Sequence, residues 1–121
     1  MSDYNIRLGK IGEDLATQHI LRNGFSIIEK NFRWRGGEID LIAQKNGKLH
    51  FIEIKTRVGF SRGMPYEAVT PRKLAHLKRS IELYLKKNNL AEMVLSLDII
   101  SIILNNKRQV ERFDFYENIE A

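Results

Sequence analysis

The chain contains no cysteine, which excludes disulfides and thiolate zinc sites. No apolar run is long enough to cross a bilayer: the longest, residues 93–104, is broken by Ser96, Asp98 and Ser101. The opening Met1-Ser2-Asp3-Tyr4-Asn5 lacks the basic-then-apolar layout of a signal peptide, so a cytoplasmic protein without membrane contact is expected. Histidine is scarce, and His19, His50 and His76 share no metal-ligand spacing; each is expected to be structural or superficial. A glycine-rich phosphate loop and a nucleophile-elbow serine are also missing, which argues against a nucleotide cofactor and a serine hydrolase.

What the chain does have is enough apolar residue (43% of 121) to bury one core, and a single domain over residues 1–121 is expected. Its net charge of +5 is unevenly spread. Residues 55–87 hold nine Lys or Arg against Glu67 and Glu82, giving +7, whereas residues 111–121 carry −3. A basic block following a group of carboxylates suits a polyanionic partner. An ordinary solvated helix face has the same composition.

The carboxylates lie on a hairpin. Gly37-Glu38-Ile39-Asp40-Leu41-Ile42 and Phe51-Ile52-Glu53-Ile54-Lys55-Thr56 flank Asn46-Gly47, a strong short-range turn signal. With Asn46 and Gly47 central in a type I′ turn, Lys45 faces Lys48, Ile42 faces Phe51, Asp40 faces Glu53 and Glu38 faces Lys55. Alternation then projects Glu38, Asp40, Glu53 and Lys55 from one face. Opposed carboxylates repel unless a cation lies between them. Ile39, Leu41, Ile52 and Ile54 fill one face, while Ile42, Leu49 and Phe51 continue the other. Strands of this kind are central and covered on both sides, so the charges at their end are expected to point into a crevice. An Asp, a Glu and a Lys converging there are the parts of a metal-dependent phosphodiester-cleaving site. The plainer alternative is a solvated hairpin face.

Around the hairpin, Leu8, Ile11, Leu15, Ala16 and Ile20 predict a helix over residues 5–23, stopped by Gly24. Glu13 sits at the edge of its apolar stripe, and the spacing leaves open both a site residue and a surface acid beside Asp14. A strand is expected over 25–33. Arg33-Trp34-Arg35 can grip phosphates and stack a base, although a lone Trp reads first as a packing residue. Residues 58–67 read as a loop, with Phe60 and Arg62 as mobile substrate contacts or as part of an ordinary connection. Thr70-Pro71 starts a second helix, with Leu74, Leu77, Ile81, Tyr84 and Leu85 as its seam and Arg72, Lys73, Lys78 and Arg79 on its polar face. Strands over 93–104 and 109–116 close the chain.

The order helix, three strands, basic helix, two strands, with Asp40, twelve intervening residues, then Glu53-Ile54-Lys55, resembles the PD-(D/E)XK nuclease superfamily. More narrowly, the chain resembles the bacterial YraN family. The resemblance rests on Gly9-Lys10-Ile11-Gly12-Glu13, Gly24-Phe25, Asn31-Phe32-Arg33, Gly37 to Ala43, Phe51 to Arg57, and Glu67-Ala68-Val69 with Lys73. It implies an α/β restriction-endonuclease-like core, a mixed sheet of about five strands flanked by helices. It also implies Glu13, Asp40, Glu53 and Lys55 as catalytic residues, and Glu13, Asp40 and Glu53 as ligands of Mg²⁺ or Mn²⁺. The expected partner is nucleic acid, DNA in the first place, held by Arg33, Arg35, Arg57, Arg72, Lys73, Lys78 and Arg79; a homodimer is left open. The alternative is a non-catalytic nucleic-acid-binding or adaptor protein on the same fold. One departure stands out: Ser96-Leu97-Asp98 occupies the place of the family's Arg-Phe-Asp, which puts a salt-bridge or phosphate role there in doubt.

Overall fold

The computed structural model describes residues 3–119. Helix α1 (Asp3–Arg22) leads into β1 (Ser26–Trp34), β2 (Gly37–Lys45) and β3 (Lys48–Val58); a short 3₁₀ turn (Pro65–Ala68) precedes α2 (Pro71–Lys87), then β4 (Val94–Leu104) and β5 (Val110–Tyr116). The strands form one sheet in the order β1-β2-β3-β4-β5. Only β3 and β4 run parallel, joined by the α2 crossover that such a pair requires. This mixed five-stranded sheet, flanked by two helices, is the restriction-endonuclease-like core expected from the sequence.

Local chemistry sets the element ends. Phe25 N–H returns to Ile20 O at 3.0 Å, and Gly24 takes φ 86° to make the stop. Thr70 accepts the Lys73 amide at 3.2 Å to cap α2, with Pro71 at its first position. Asn46 and Gly47 have φ 51° and 76°, and Lys45 pairs with Lys48 and Ile42 with Phe51. The hairpin register is therefore the one read from Asn-Gly.

Two apolar layers enclose the sheet. Between α1 and the sheet, Ala16 and Ile20 of the helix pack on Phe25, Leu41, Ala43, Ile52, Ile100 and Ile102. Between α2 and the sheet, Leu77, Ile81 and Tyr84 of the helix pack on Phe32, Ile39, Ile42, Phe51 and Leu97. Ile39 departs from the expected alternation: it belongs with Ile42 and Phe51, not with Leu41. Asn31 supplies a physical reason. It takes φ 54° in the middle of β1, between the pairs Lys30↔Leu41 and Phe32↔Ile39, and the two-residue alternation breaks at this level in both strands. Trp34 packs against the α2 layer and donates its indole N–H to Ser80 Oγ at 2.7 Å.

Helix α1 approaches β3 closely at Gly12, where an added Cβ would lie 1.9 Å from Thr56 Oγ1 and 3.0 Å from its Cβ. Gly12→Ala is expected to lower stability by about 1–3 kcal/mol, the usual cost of overpacking. Thr56→Ala in the Gly12→Ala background should recover part of it. Urea unfolding of the two variants beside wild type checks this; an unaffected Gly12→Ala would mean that the helix tolerates a wider spacing here.

Candidate active site

The site forms where β2 and β3 part. Their ladder closes with Leu41↔Ile52, whereas β3 stays paired to β4 as far as Val58↔Leu104. Past Ile52, the β2-facing edge of β3 needs another partner for its backbone. Asp40 takes that place: Ile54 N–H donates to Asp40 Oδ2 at 2.9 Å. On the neighbouring β1, Asn31, with its positive φ, donates its side-chain amide to Glu13 Oε1 on α1 at 2.9 Å.

Glu53 is only 3% exposed. Lys73 Nζ reaches over from the first turn of α2 to within 3.1 Å of Glu53 Oε2. That oxygen is nevertheless buried without a hydrogen bond. The distance marks an ion pair whose direction leaves the oxygen's bonding capacity unfilled. Burial first, then the Glu53 carboxylate as hydrogen-bond partner and as neighbouring charge, push the Asp40 pKa from 3.8 up to about 8; the Ile54 amide and Lys55 oppose the rise. Asp40 and Glu53 thus compete for charge, and Asp40 keeps its proton at neutral pH.

Asp40 and Lys55 line an open cleft of about 530 Å³ together with Glu13, Asn31, Arg33 and Glu38. Glu38 differs from the expectation that it faces Lys55: it accepts from Arg33 Nε at 3.1 Å, its neighbour across the β1–β2 ladder. Glu13 shares the cleft, yet among the described residues no three His, Cys, Asp or Glu side chains converge on one metal position. A divalent cation of the Mg²⁺ kind is commonly held by one or two carboxylates, with water and substrate phosphate completing its shell. Asp40 and Glu53, two crowded carboxylates with one unsatisfied buried oxygen, fit such an ion.

The basic residues separate into groups. Arg33 lines the cleft, and Arg35 is exposed in the adjoining β1–β2 turn. The Arg57 guanidinium donates to the Arg62 carbonyl. Lys73 is directed inward onto Glu53. Arg72 and Arg79 are exposed on α2. Lys78 lies beside Leu95 and Leu97, further down a helix that leaves the site at 5.4 Å per turn.

One polar cluster was not foreseen. His50 Nδ1 and Asp98 Oδ2 are 2.6 Å apart, and Asp98 Oδ1 accepts from Ser96 Oγ at 2.5 Å and from the Asn118 amide at 3.0 Å. His50 is paired with Ser96 across β3–β4, three rows from Glu53. The departure Ser96-Leu97-Asp98 therefore concerns the anchoring of the C-terminal segment rather than the carboxylate site. The available signal was Asp98 itself, since a lone carboxylate in an apolar run needs buried partners.

Asp40 also sets a pH dependence. A carboxyl whose folded pKa exceeds its unfolded value stabilises the fold fully below 3.8 and loses that contribution as pH rises to about 8. Asp40→Asn should accordingly flatten the decline of unfolding free energy between about pH 4.5 and 8.5 in metal-free buffer. Urea titrations of both proteins across that range check it; parallel curves would show that Asp40 titrates normally.

Comparison with known proteins places the sequence in a family. The sequence profile described as Uncharacterised protein family UPF0102 matches residues 12–115. A UPF0102 protein of Syntrophomonas wolfei is 42% identical over 102 residues, covering 84% of this chain and 89% of the relative. One from Dictyoglomus turgidum is 38% identical over 114 residues, covering 94% and 97%. Another, from Clostridium novyi, is 35% identical over 118 residues, covering 98% of each. With the profile spanning most of the chain and relatives aligned along nearly their whole lengths, the chain belongs to the UPF0102 (YraN) family.

Proposed function

We propose that the protein is a divalent-metal-dependent nuclease that hydrolyses phosphodiester bonds in DNA, with branched or otherwise structured DNA as the class to test first. The observation that carries this reading is the meeting of Asp40 and Glu53 where β2 and β3 part, with Lys55 in the same cleft as Asp40. In this reading Asp40 and Glu53 hold Mg²⁺ or Mn²⁺, and Glu13 approaches from α1, directly or through water. When bound, the ion supplies Lewis acidity toward a phosphate oxygen and acidifies a water, chemistry that no side chain of the cleft provides. Lys55 orients the attacking water or offsets negative charge that develops on the phosphate. Arg33, on the cleft wall, positions the backbone. Ion binding asks Asp40 to release its proton, so affinity for the metal should rise with pH.

The non-catalytic binder or adaptor is favoured by one observation, the Lys73 ammonium on Glu53. It already offsets the charge that an ion would neutralise.

Two measurements separate these readings. Saturating Mg²⁺ or Mn²⁺ should raise the melting temperature of wild type, by about 2.7 kcal/mol of stability at a hundredfold excess over Kd. Asp40→Asn and Glu53→Gln should lose most of that gain. Equal stabilisation of all three proteins, or of none, puts the ion elsewhere and favours the adaptor. Cleavage of single-stranded, duplex, flap and four-way-junction DNA is the second measurement. Lys55→Ala should lower it by roughly a hundredfold or more while keeping the metal-induced shift. Wild-type turnover in Lys55→Ala would remove that residue from the mechanism.

A further inference from the structure

The cleft continues past the carboxylates. A second depression, about 470 Å³, shares Asn5, Leu8 and Thr56 with the first and adds Tyr4, Arg57 and Arg62. The two form one groove between the N-terminal half of α1 and the outgoing end of β3. No Asp or Glu among the described residues lines this second part. Arg57 comes from β3, with its guanidinium tied to the Arg62 carbonyl; Arg62 stands on the glycine-flanked loop after β3, where Gly59 and Gly63 take φ 73° and 79°. A third arginine arrives from the β4–β5 turn, the Arg108 guanidinium lying 5.1 Å from the centre of the Tyr4 ring. Two arginines thus line a depression without a lining carboxylate, and a third, from a separate element, lies against Tyr4 on its wall. Tyr4, on the wall of the depression, is 46% exposed, and Phe60, on the same loop as Arg62, is 53% exposed.

We propose that Arg57, Arg62 and Arg108, with Tyr4 and Phe60, form a subsite for the sugar-phosphate backbone and unstacked bases of a single nucleic-acid strand leading away from the carboxylate site. The proposal rests on the nucleic-acid reading of the carboxylate site and names the substrate class for it. Arginines supply phosphate contacts that carry no sequence information. Exposed rings interleaved with them serve unpaired bases, whose faces a stacked duplex keeps covered. A substrate placed in this way has an unpaired strand beside the scissile bond, as a flap or a frayed junction does.

The test is fluorescence anisotropy with a labelled single-stranded oligonucleotide in EDTA, repeated across a salt series. Arg62→Ala/Arg108→Ala should reduce the slope of log K against log salt by roughly 0.7 for each phosphate left without its arginine. Removing two charges elsewhere, with Lys30→Ala/Lys86→Ala, should leave the slope near wild type. Tyr4→Ala and Phe60→Ala should weaken binding without changing the slope. A slope untouched by the arginine pair, or an equal fall in the control, would overturn the subsite. So would a duplex of the same length competing as well as the single strand, or poly-glutamate displacing it equally, which would assign the groove to an acidic protein. Arginine-dependent binding without cleavage leaves the subsite standing and removes the nuclease reading; cleavage with arginine-independent binding does the reverse.

Discussion

A sheet whose strands diverge leaves backbone donors without partners, and here a carboxylate takes the missing strand's place. Asp40 accepts the Ile54 amide where the β2–β3 ladder has closed. That bond fixes the Asp40 side chain next to Glu53, although their charges repel. Burial intensifies the conflict, since Glu53 is almost wholly withdrawn from water and Asp40 reaches it only on the cleft side. The structure meets it in two ways: Asp40 holds its proton at neutral pH, and Lys73 is brought onto Glu53. Other features of the site follow from keeping this pair in place.

The two helices serve the pair from opposite faces. Helix α2 begins at the site, so Lys73 in its first turn reaches Glu53 while the rest of the helix runs toward the far end of the sheet. Helix α1 crosses the opened part of β3, close enough at Gly12 that a methyl group would collide with Thr56. This crossing carries Glu13 into the cleft. The left-handed turn at Asn31 links both effects, because it interrupts strand alternation at the level of Asp40 and directs the Asn31 amide to Glu13.

Charge and polarity are divided along the sheet. Acidic groups meet at the divergence of β2 and β3, and arginines continue the groove toward the end of β3. At the opposite end, Asp98 gathers His50, Ser96 and the Asn118 amide in a buried network that pins the last residues of the described chain. Ser96 here offers only a short hydroxyl, sufficient for Asp98 beneath it and unable to reach the cleft. None of the described helices is long and apolar enough to cross a membrane.

Much of this was legible in local sequence. Asn46-Gly47 determined the hairpin register because type I′ geometry accepts few other residue pairs. That register placed Asp40 against Glu53. Thr70-Pro71 set the start of α2, and the apolar spacings of residues 8–20 and 74–85 chose which helix faces are buried. The alternation rule, applied without interruption, misplaced Ile39 and paired Glu38 with Lys55, since a single positive φ at Asn31 is invisible to a periodic pattern. Helix packing alone decided that Lys73 turns inward onto Glu53, because a charge run looks the same wherever its helix points. The His50–Asp98 network and the approach of Arg108 to Tyr4 needed contacts between residues distant in the chain. Local spacing fixes which side chains share a face, whereas long-range packing determines which faces meet.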